Sequence, residues 1–388
     1  VFLYGLIIIL RNHSDMHLDR ELSGILVVSL EQAVAAPYCG LLLAAAGARV
    51  IKVERPEGDF ARSYDKGANG KSSIFAWLNR GKESISMNLK DPKDKKLLEK
   101  ILTKSDIFLS NLTPGSLKNL RLDYEQLKLI NPRLISCEIN GYGETKEAQT
   151  RKAYDFLVQA ETGLCSVTGT EENPSKAGIS ITDLSTGLTA FSAILRALIQ
   201  RSKNNKGLKL SISMFDVMAD WMNMPLLAHR YMGGAPKRSG LKHTFIAPYG
   251  SFNCGDNKKI LLSVQNNREF AVFCDDILGD KSLKNNPKFC DNPQRYANRL
   301  ELDEIISNIF QKMPQKKIQK KLTDAGIANS QLNSVADLSS HDFLRNELAS
   351  FSMTSVSIAA LPIKTARSTP EKVPDLNDNG TSIRSEFT

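Results

Sequence analysis

Residues 24–54 read GILVVSLEQAVAAPYCGLLLAAAGARVIKVE, and their order settles the fold class. The run ILVVSL at 25–30 is short and apolar, as a buried strand requires. Pro37 then opens a helix through Cys39, Leu41, Leu42 and Leu43 that stops at Gly47. ARVIKVE at 48–54 is rich in β-branched residues and too short for a helix, so it supplies a second strand. The two strands pair in parallel if the helix between them is the crossover.

Downstream the same alternation continues. SISMNL at 84–89 reads as a third strand, and Asp91 and Pro92 start a helix carrying Leu97, Leu98, Ile101 and Leu102. DIFLS at 106–110 and LISCEI at 134–139 are further strands, and GLKLSISMF at 207–215 adds one more. Strands alternating with helices predict an α/β fold built on a doubly wound parallel sheet. The composition shifts in YMGGAPKRSGLKH at 231–243, a glycine-rich basic loop. After it, 249–264 reads as a hairpin turning near Gly255 and Asp256, and helical patterns cover 266–278 and 301–326, as in a smaller α+β domain. The expected organisation is an extension over 1–23, a large domain over 24–228, a small domain with its linker over 229–329, and a segment 330–388 that returns to the large domain.

Composition narrows the function. The chain has 388 residues, 41% hydrophobic and 24% charged, which suits a globular enzyme. Its 51 Lys and Arg outnumber 42 Asp and Glu, giving +9, and these residues are scattered instead of forming one arm. That favours a phosphate-bearing small molecule over a nucleic acid. The six cysteines contain no CxxC pair and read as reduced thiols of a cytoplasmic protein; the five histidines have no metal-ligand spacing, so no metal is expected. The opening VFLYGLIIIL is too short to span a bilayer, and residues 1–15 read as an extension outside the fold. No GxGxxG follows the first strand, which argues against NAD and FAD.

Polar residues gather where the strands end: Lys52 and Arg55 after the second, Lys90 after the third, Asn111 after the fourth, Asn140 after the fifth. In an open α/β sheet that edge binds ligands. Each residue alone would pass for a solvated loop side chain. Asp183, in GISITDLSTGLTA at 178–190, is placed just ahead of a helix whose apolar stripe is Leu188, Phe191, Ile194, Leu195, Leu198 and Ile199. It reads either as a cap of that helix or as a carboxylate presented at a cleft.

Seven segments in order carry a resemblance: AGARVIKVERPEGDFAR at 46–62, LNRGKESISMNLKDP at 78–92, NLTPGSL at 111–117, NPRLISCEINGYG at 131–143, YDFLVQAETGLCSVTG at 154–169, ITDLSTGL at 181–188 and LKLSISMFD at 208–216. Together they resemble the class III CoA-transferase family. The resemblance implies a Rossmann-like large domain, a smaller domain late in the chain, and an interlocked homodimer. It places the catalytic aspartate on Asp183 and the CoA contacts on Arg55, Met87, Lys90, Asn111, Leu112 and Asn140. Leu112 and Asn119 depart from the aromatic and the arginine common at those positions. CoA is then a substrate, with no permanently bound cofactor, and the partners are acyl-CoA and carboxylic acids, with no nucleic acid or membrane.

The chemistry implied is covalent: Asp183 would take up CoA as a thioester. N–H groups of Leu184, Ser185, Thr186 and Gly187 are the expected oxyanion donors, and the 232–240 loop a lid. LEQAVAAPYC, GDFARSYD and HTFIAPYGSF are most similar to the branch acting on short dicarboxylates such as mesaconate, itaconate, citramalate or succinate. The candidates for pairing the second carboxylate are Arg62, Arg230, Lys237, Arg238 and His243. Alternatives within the superfamily are an acyl-CoA racemase, which places a histidine where Tyr154 stands here, and a CoA-binding protein without catalysis.

Overall fold

The computed structural model describes residues 18, 20–363 and 371–388, so the extension expected over 1–15 lies outside the described residues. Six strands form one sheet: β1 (Leu26–Leu30), β2 (Arg49–Glu54), β3 (Glu83–Ser86), β4 (Ile107–Ser110), β5 (Ile135–Asn140) and β6 (Lys209–Ser213). Their order is β3-β2-β1-β4-β5-β6, and every neighbouring pair is parallel. The order reverses direction between β1 and β4, so the crevice for a ligand opens beyond the carboxyl ends of these strands. The apolar run at 25–30 behaves as its composition demands, with Val27 and Val28 wholly buried.

The helix from β1 to β2, α1 (Ala35–Ala45), buries residues almost all round, consistent with its run of alanines and leucines. Next come α2 (Ser73–Asn79), whose cap Ser72 accepts from the Phe75 N–H, and α3 (Pro92–Lys104), whose cap Asp91 accepts from Lys93. In α3 the buried residues are Leu97, Leu98, Ile101 and Leu102. The third strand stops at Ser86, short of the expected residue 89, because Asn88 turns the chain: its Oδ1 accepts from Lys90 N and its carbonyl from Asp91 N. Met87 and Lys90 therefore stand past the sheet.

Two expectations about the long helix need correction. It spans Ile181–Asn204, so Asp183 sits inside its first turn and not ahead of it. Its buried face is the small-residue one, Thr186, Gly187, Ala190, Ile194 and Ala197, while Leu188 and Ile199 are exposed. The reason is close approach to α1: a Cβ on Gly187 would lie 2.5 Å from the Ala35 carbonyl oxygen. Only a narrow face can pack there.

By its contacts the chain divides into two compact units. The first comprises the described residues up to Val158, then Ile179–Trp221 and Arg345–Thr388; the second is Gln159–Gly178 with Met222–Leu344. The sequence reading had put these boundaries at 228 and 330. In the second unit β7 (Tyr249–Asn253), β8 (Lys259–Ser263) and β9 (Ala328–Gln331) form an antiparallel sheet over a core that includes Phe252, Phe270, Phe273, Phe310 and Leu322. The helical pattern over 301–326 is two helices, Arg299–Phe310 and Gln315–Asp324, interrupted at Pro314.

The returning segment has β10 (Asn346–Ser350), β11 (Ser355–Ala359) and β12 (Glu371–Lys372), then a helix Gly380–Phe387 that buries Ile383 and Phe387 in the core of the first unit. Its polar approach closes the open edge of β3: Asn379 and Asn377 side chains accept from the N–H groups of Ser84 and Ser86. Among the described residues no helix is long and apolar enough to cross a membrane.

Candidate functional site

A cleft of about 510 Å³ opens in the first unit beyond the carboxyl ends of β1 to β4. Arg55, Met87, Lys90 and Leu112, four of the residues predicted to contact a ligand, line it. Arg55 leaves β2 into a tight turn closed by Gly58, whose φ of +79° suits glycine, and donates from Nε to the Gly58 carbonyl at 2.9 Å. Its terminal nitrogens and the Lys90 ammonium have no ion-pair partner among the described residues and are exposed. Met87 is buried at the inner wall.

Asn111 and Asn140 do other work. Asn111 binds the backbone of Gln32 through both ends of its amide, donating to the carbonyl at 2.8 Å and accepting from the N–H at 2.9 Å. This ties the end of β4 to the loop after β1. Asn140 accepts from Gly143 N at 2.6 Å and donates to Ser211 Oγ at 2.9 Å, closing its own turn against β6. Neither lines the cleft.

Lys52 is corrected more sharply. It faces the interior from within β2, fully buried, 2.8 Å from Asp59 Oδ2 and 3.4 Å from Glu31 Oε1. Lys82 lies 2.5 Å from the same Glu31 oxygen, and Arg62 clasps Glu54 with two bonds of 2.7 and 2.8 Å. Glu31, Glu54 and Asp59 are thus balanced by Lys52, Lys82 and Arg62. Three of the four carboxylates in the cleft wall are neutralised from behind; the fourth, Glu57, is exposed, and Arg55 and Lys90 outnumber it in setting the attraction for an anion.

Burial works against the charge on Lys52, but Glu31, Asp59 and Glu54 outweigh it and hold its pKa above the ordinary value. Lys82 is less favoured: burial brings it down to about 8 despite Glu31. Burial also pushes Glu54 upward, yet Arg62, Lys52 and Ser84 hold it down to about 2.

The Asp183 carboxyl is half-buried and its pKa is pushed up to about 7, first by burial and then by the charge of Asp155. A carboxylate in the first turn of a helix is ordinarily stabilised by the free N–H groups there. Here Asp155 Oδ1 accepts from the N–H groups of Thr182 and Asp183 at 2.8 and 3.1 Å. One carboxylate therefore caps the helix, and the other bears the repulsion. The expected oxyanion donors are ruled out by the same geometry: Leu184 N donates to the Ser180 carbonyl, and Ser185, Thr186 and Gly187 continue the helix.

Asp183 is not among the residues lining the cleft. Tyr64 joins the two neighbourhoods electrostatically, its pKa raised to about 12 by burial first, then by Asp59, Asp183 and Tyr154. Sequence reading missed Asp155, Tyr64 and Asp59 as parts of the site. The available signal was only the adjacency of Tyr154 and Asp155 and the motif GDFARSYD at 58–65.

Of the five candidates for holding a second carboxylate, four have partners. Arg62 serves Glu54 and lies over the Phe75 ring at 3.9 Å. Arg238 donates to the carbonyls of Ser166, Thr170 and Glu171, which pins the 232–240 loop to the 166–171 segment of the second unit. His243 stacks on Tyr249 at 4.9 Å and its Nδ1 accepts from Phe245 N. Lys237 forms an exposed ion pair with Glu171 at 3.7 Å, and Arg230 is exposed.

Comparison with known proteins identifies the family. The profile of the family described as CoA-transferase family III matches residues 22–376. The chain is 32% identical over 373 residues to acetyl-CoA:oxalate CoA-transferase of Acetobacter aceti, covering 94% of this chain and 95% of that one. It is 34% identical to human succinyl-CoA:glutarate CoA-transferase over 84% of this chain and 75% of that one. The crystal structure of a CAIB/BAIF family protein from Brucella suis superposes with a TM-score of 0.81 at 30% identity, covering 95% of this chain and 99% of that one. The chain belongs to CoA-transferase family III.

Proposed function

We propose that this CoA-transferase moves CoA between small dicarboxylic acids and carries it meanwhile as a thioester on Asp183. The observation that carries the reading is a half-buried carboxyl that ionises near neutrality, at about 7, in the same unit as a cleft rimmed by two unpaired cations. Such a carboxylate is more basic, and so more nucleophilic, than an ordinary one, yet half ionised at pH 7. The Asp183 carboxylate attacks the thioester carbonyl and expels CoA thiolate, leaving a mixed anhydride. The thiolate attacks the aspartyl carbonyl, which releases the first acid and leaves the enzyme thioester. The acceptor carboxylate then displaces the thiolate to form a second anhydride, and the thiolate attacks the acceptor's acyl carbonyl, restoring Asp183. Arg55 and Lys90 bind the phosphates of CoA, and Met87 and Leu112 supply apolar wall.

Oxalate and glutarate, named for two of the similar proteins, support the dicarboxylate class. A panel of oxalyl-, succinyl- and glutaryl-CoA donors against short dicarboxylates, followed by chromatography, tests it. Exchange of one acid for another supports the reading. Activity confined to branched acyl-CoA, with α-proton exchange and no acceptor, would replace transfer by racemisation.

Two further outcomes are expected. Because Asp183 acts as the carboxylate and its pKa is raised, kcat/KM for the CoA ester should fall tenfold per unit as pH drops below about 7. A limb near pH 4 would mean that burial and Asp155 do not act on the working group. Arg55→Ala and Lys90→Ala should each raise KM for the CoA ester roughly tenfold, about 1.4 kcal/mol, with kcat nearly kept, since they bind a part that does not react. Unchanged saturation curves would remove CoA from this cleft.

A further inference from the structure

The buried Lys52 has no contact with the cleft itself, and yet it stands at the junction of everything that shapes it. Its ammonium donates to Asp59 Oδ2 at 2.8 Å and to the Glu31 carbonyl at 3.2 Å. Asp59 in turn uses Oδ1 to accept from Ala61 N at 3.0 Å and from Ala33 N at 3.2 Å. One carboxylate therefore clamps the loop after β1 to the loop after β2, and residues of both loops line the cleft.

The clamp acts on a strained point. Ala33 has φ of +63°, a left-handed conformation unfavourable for a residue with a Cβ, and its N–H is the one that Asp59 holds. Two residues later Ala35 begins α1, and its carbonyl is the atom that a Cβ on Gly187 would meet. Gly187 lies one turn beyond Asp183 on the same helix. Lys82 braces the same junction, donating to Glu31 Oε1 at 2.5 Å, the Pro37 carbonyl at 2.8 Å and Asn79 Oδ1 at 3.1 Å. A buried ion cluster is a poor device for stability alone, because apolar side chains of similar volume are often at least as good. What it does better is hold groups in one arrangement.

Resting on the proposed function, we infer that Lys52 is a positioning residue: through Asp59 it fixes the strained loop at Ala33, and through α1 it sets the nucleophile's helix against the cleft. A ligand-binding role would appear in KM. Positioning of the nucleophile appears in kcat, where a displacement near 1 Å costs up to about a hundredfold.

The experiment uses the full chain with Lys52→Met, Asp59→Asn and the double variant. Steady-state transfer is measured together with hydrogen exchange of the peptide spanning residues 31–36. Each single variant should lower kcat at least about tenfold while KM for the CoA ester changes less. The double variant should be no worse than the worse single, because both act through one contact. Exchange at 31–36 should quicken in all three, and Lys52→Arg should recover part of kcat. Wild-type kcat in Lys52→Met, a loss confined to KM, or fully multiplicative losses in the double variant would overturn the inference. Should Lys52→Met not fold, Asp59→Asn, which keeps the shape of the side chain, decides by the same readouts: a folded variant with wild-type kcat overturns it. The proposed function fails separately, if the wild-type enzyme transfers no CoA. Exchange at 31–36 then still reports whether Lys52 and Asp59 hold the loop.

Discussion

Asp183→Ala is expected to abolish CoA transfer, with a loss of about 10⁴-fold or more, while the protein folds and still binds CoA. The carboxylate is the atom group that forms the covalent bond, so nothing else in the site can replace it. The helix does not depend on it either, since its first N–H groups are held by Asp155. The same substitution should stabilise the fold at alkaline pH. The folded-state pKa of Asp183 is raised to about 7, above its unfolded value, so the folded chain binds more protons between roughly pH 4 and 7 and loses stability as pH rises through that window. Removing the carboxyl removes that loss. The gain should be absent below about pH 4 and reach on the order of 1–3 kcal/mol above pH 7, less than the full shift because the group is partly solvated. Urea titrations of both proteins at pH 4 and pH 8 measure it; equal midpoints at pH 8 would contradict the raised pKa.

Arg62→Met should cost about 3–5 kcal/mol, because it leaves Glu54 buried and unpaired. Arg62 makes two bonds to Glu54, donates to the Pro374 carbonyl at 3.2 Å and covers Phe75, while Glu54 also accepts from Ser84 Oγ and Asp59 N. The Glu54 pKa is lowered to about 2, so its contribution is present above the unfolded pKa near 4.5 and is lost as pH falls toward 2. The variant should therefore lose most of its stability deficit in acid. A shift in the urea midpoint equivalent to less than 1 kcal/mol at pH 7 would mean that solvent reaches this pair freely.

Much of the fold was legible because periodicity is a local property. The 24–54 stretch announces strand, helix and strand by its own residues, and the carboxyl-end edge follows from the order of elements. Arg55 and Lys90, read from that edge, line the cleft; Met87 and Leu112, which line it too, were implied only by the resemblance. Lys52 misled because a cation beside a strand end reads as solvated unless its partners are visible, and Glu31 and Asp59 come to it only through sheet pairing and a turn. For Asn111 and Asn140 the sequence could not show the backbone partners, since a side-chain amide serves a turn as readily as a ligand. The start of the long helix was displaced because Asp155, distant in sequence, supplies the cap that no residue near 180 provides. The apolar stripe erred because Gly187 allows α1 to approach so closely that small residues, not large ones, fill the contact.

The central claim is that CoA rides on Asp183. Mass spectrometry of the enzyme quenched in acid after brief incubation with succinyl-CoA, without acceptor, tests it directly. The account predicts a CoA thioester on the peptide containing Asp183 in the wild-type protein, removed by adding an acceptor dicarboxylate and absent in Asp183→Ala. An unmodified Asp183 peptide during active turnover, or an adduct on another residue, would contradict it.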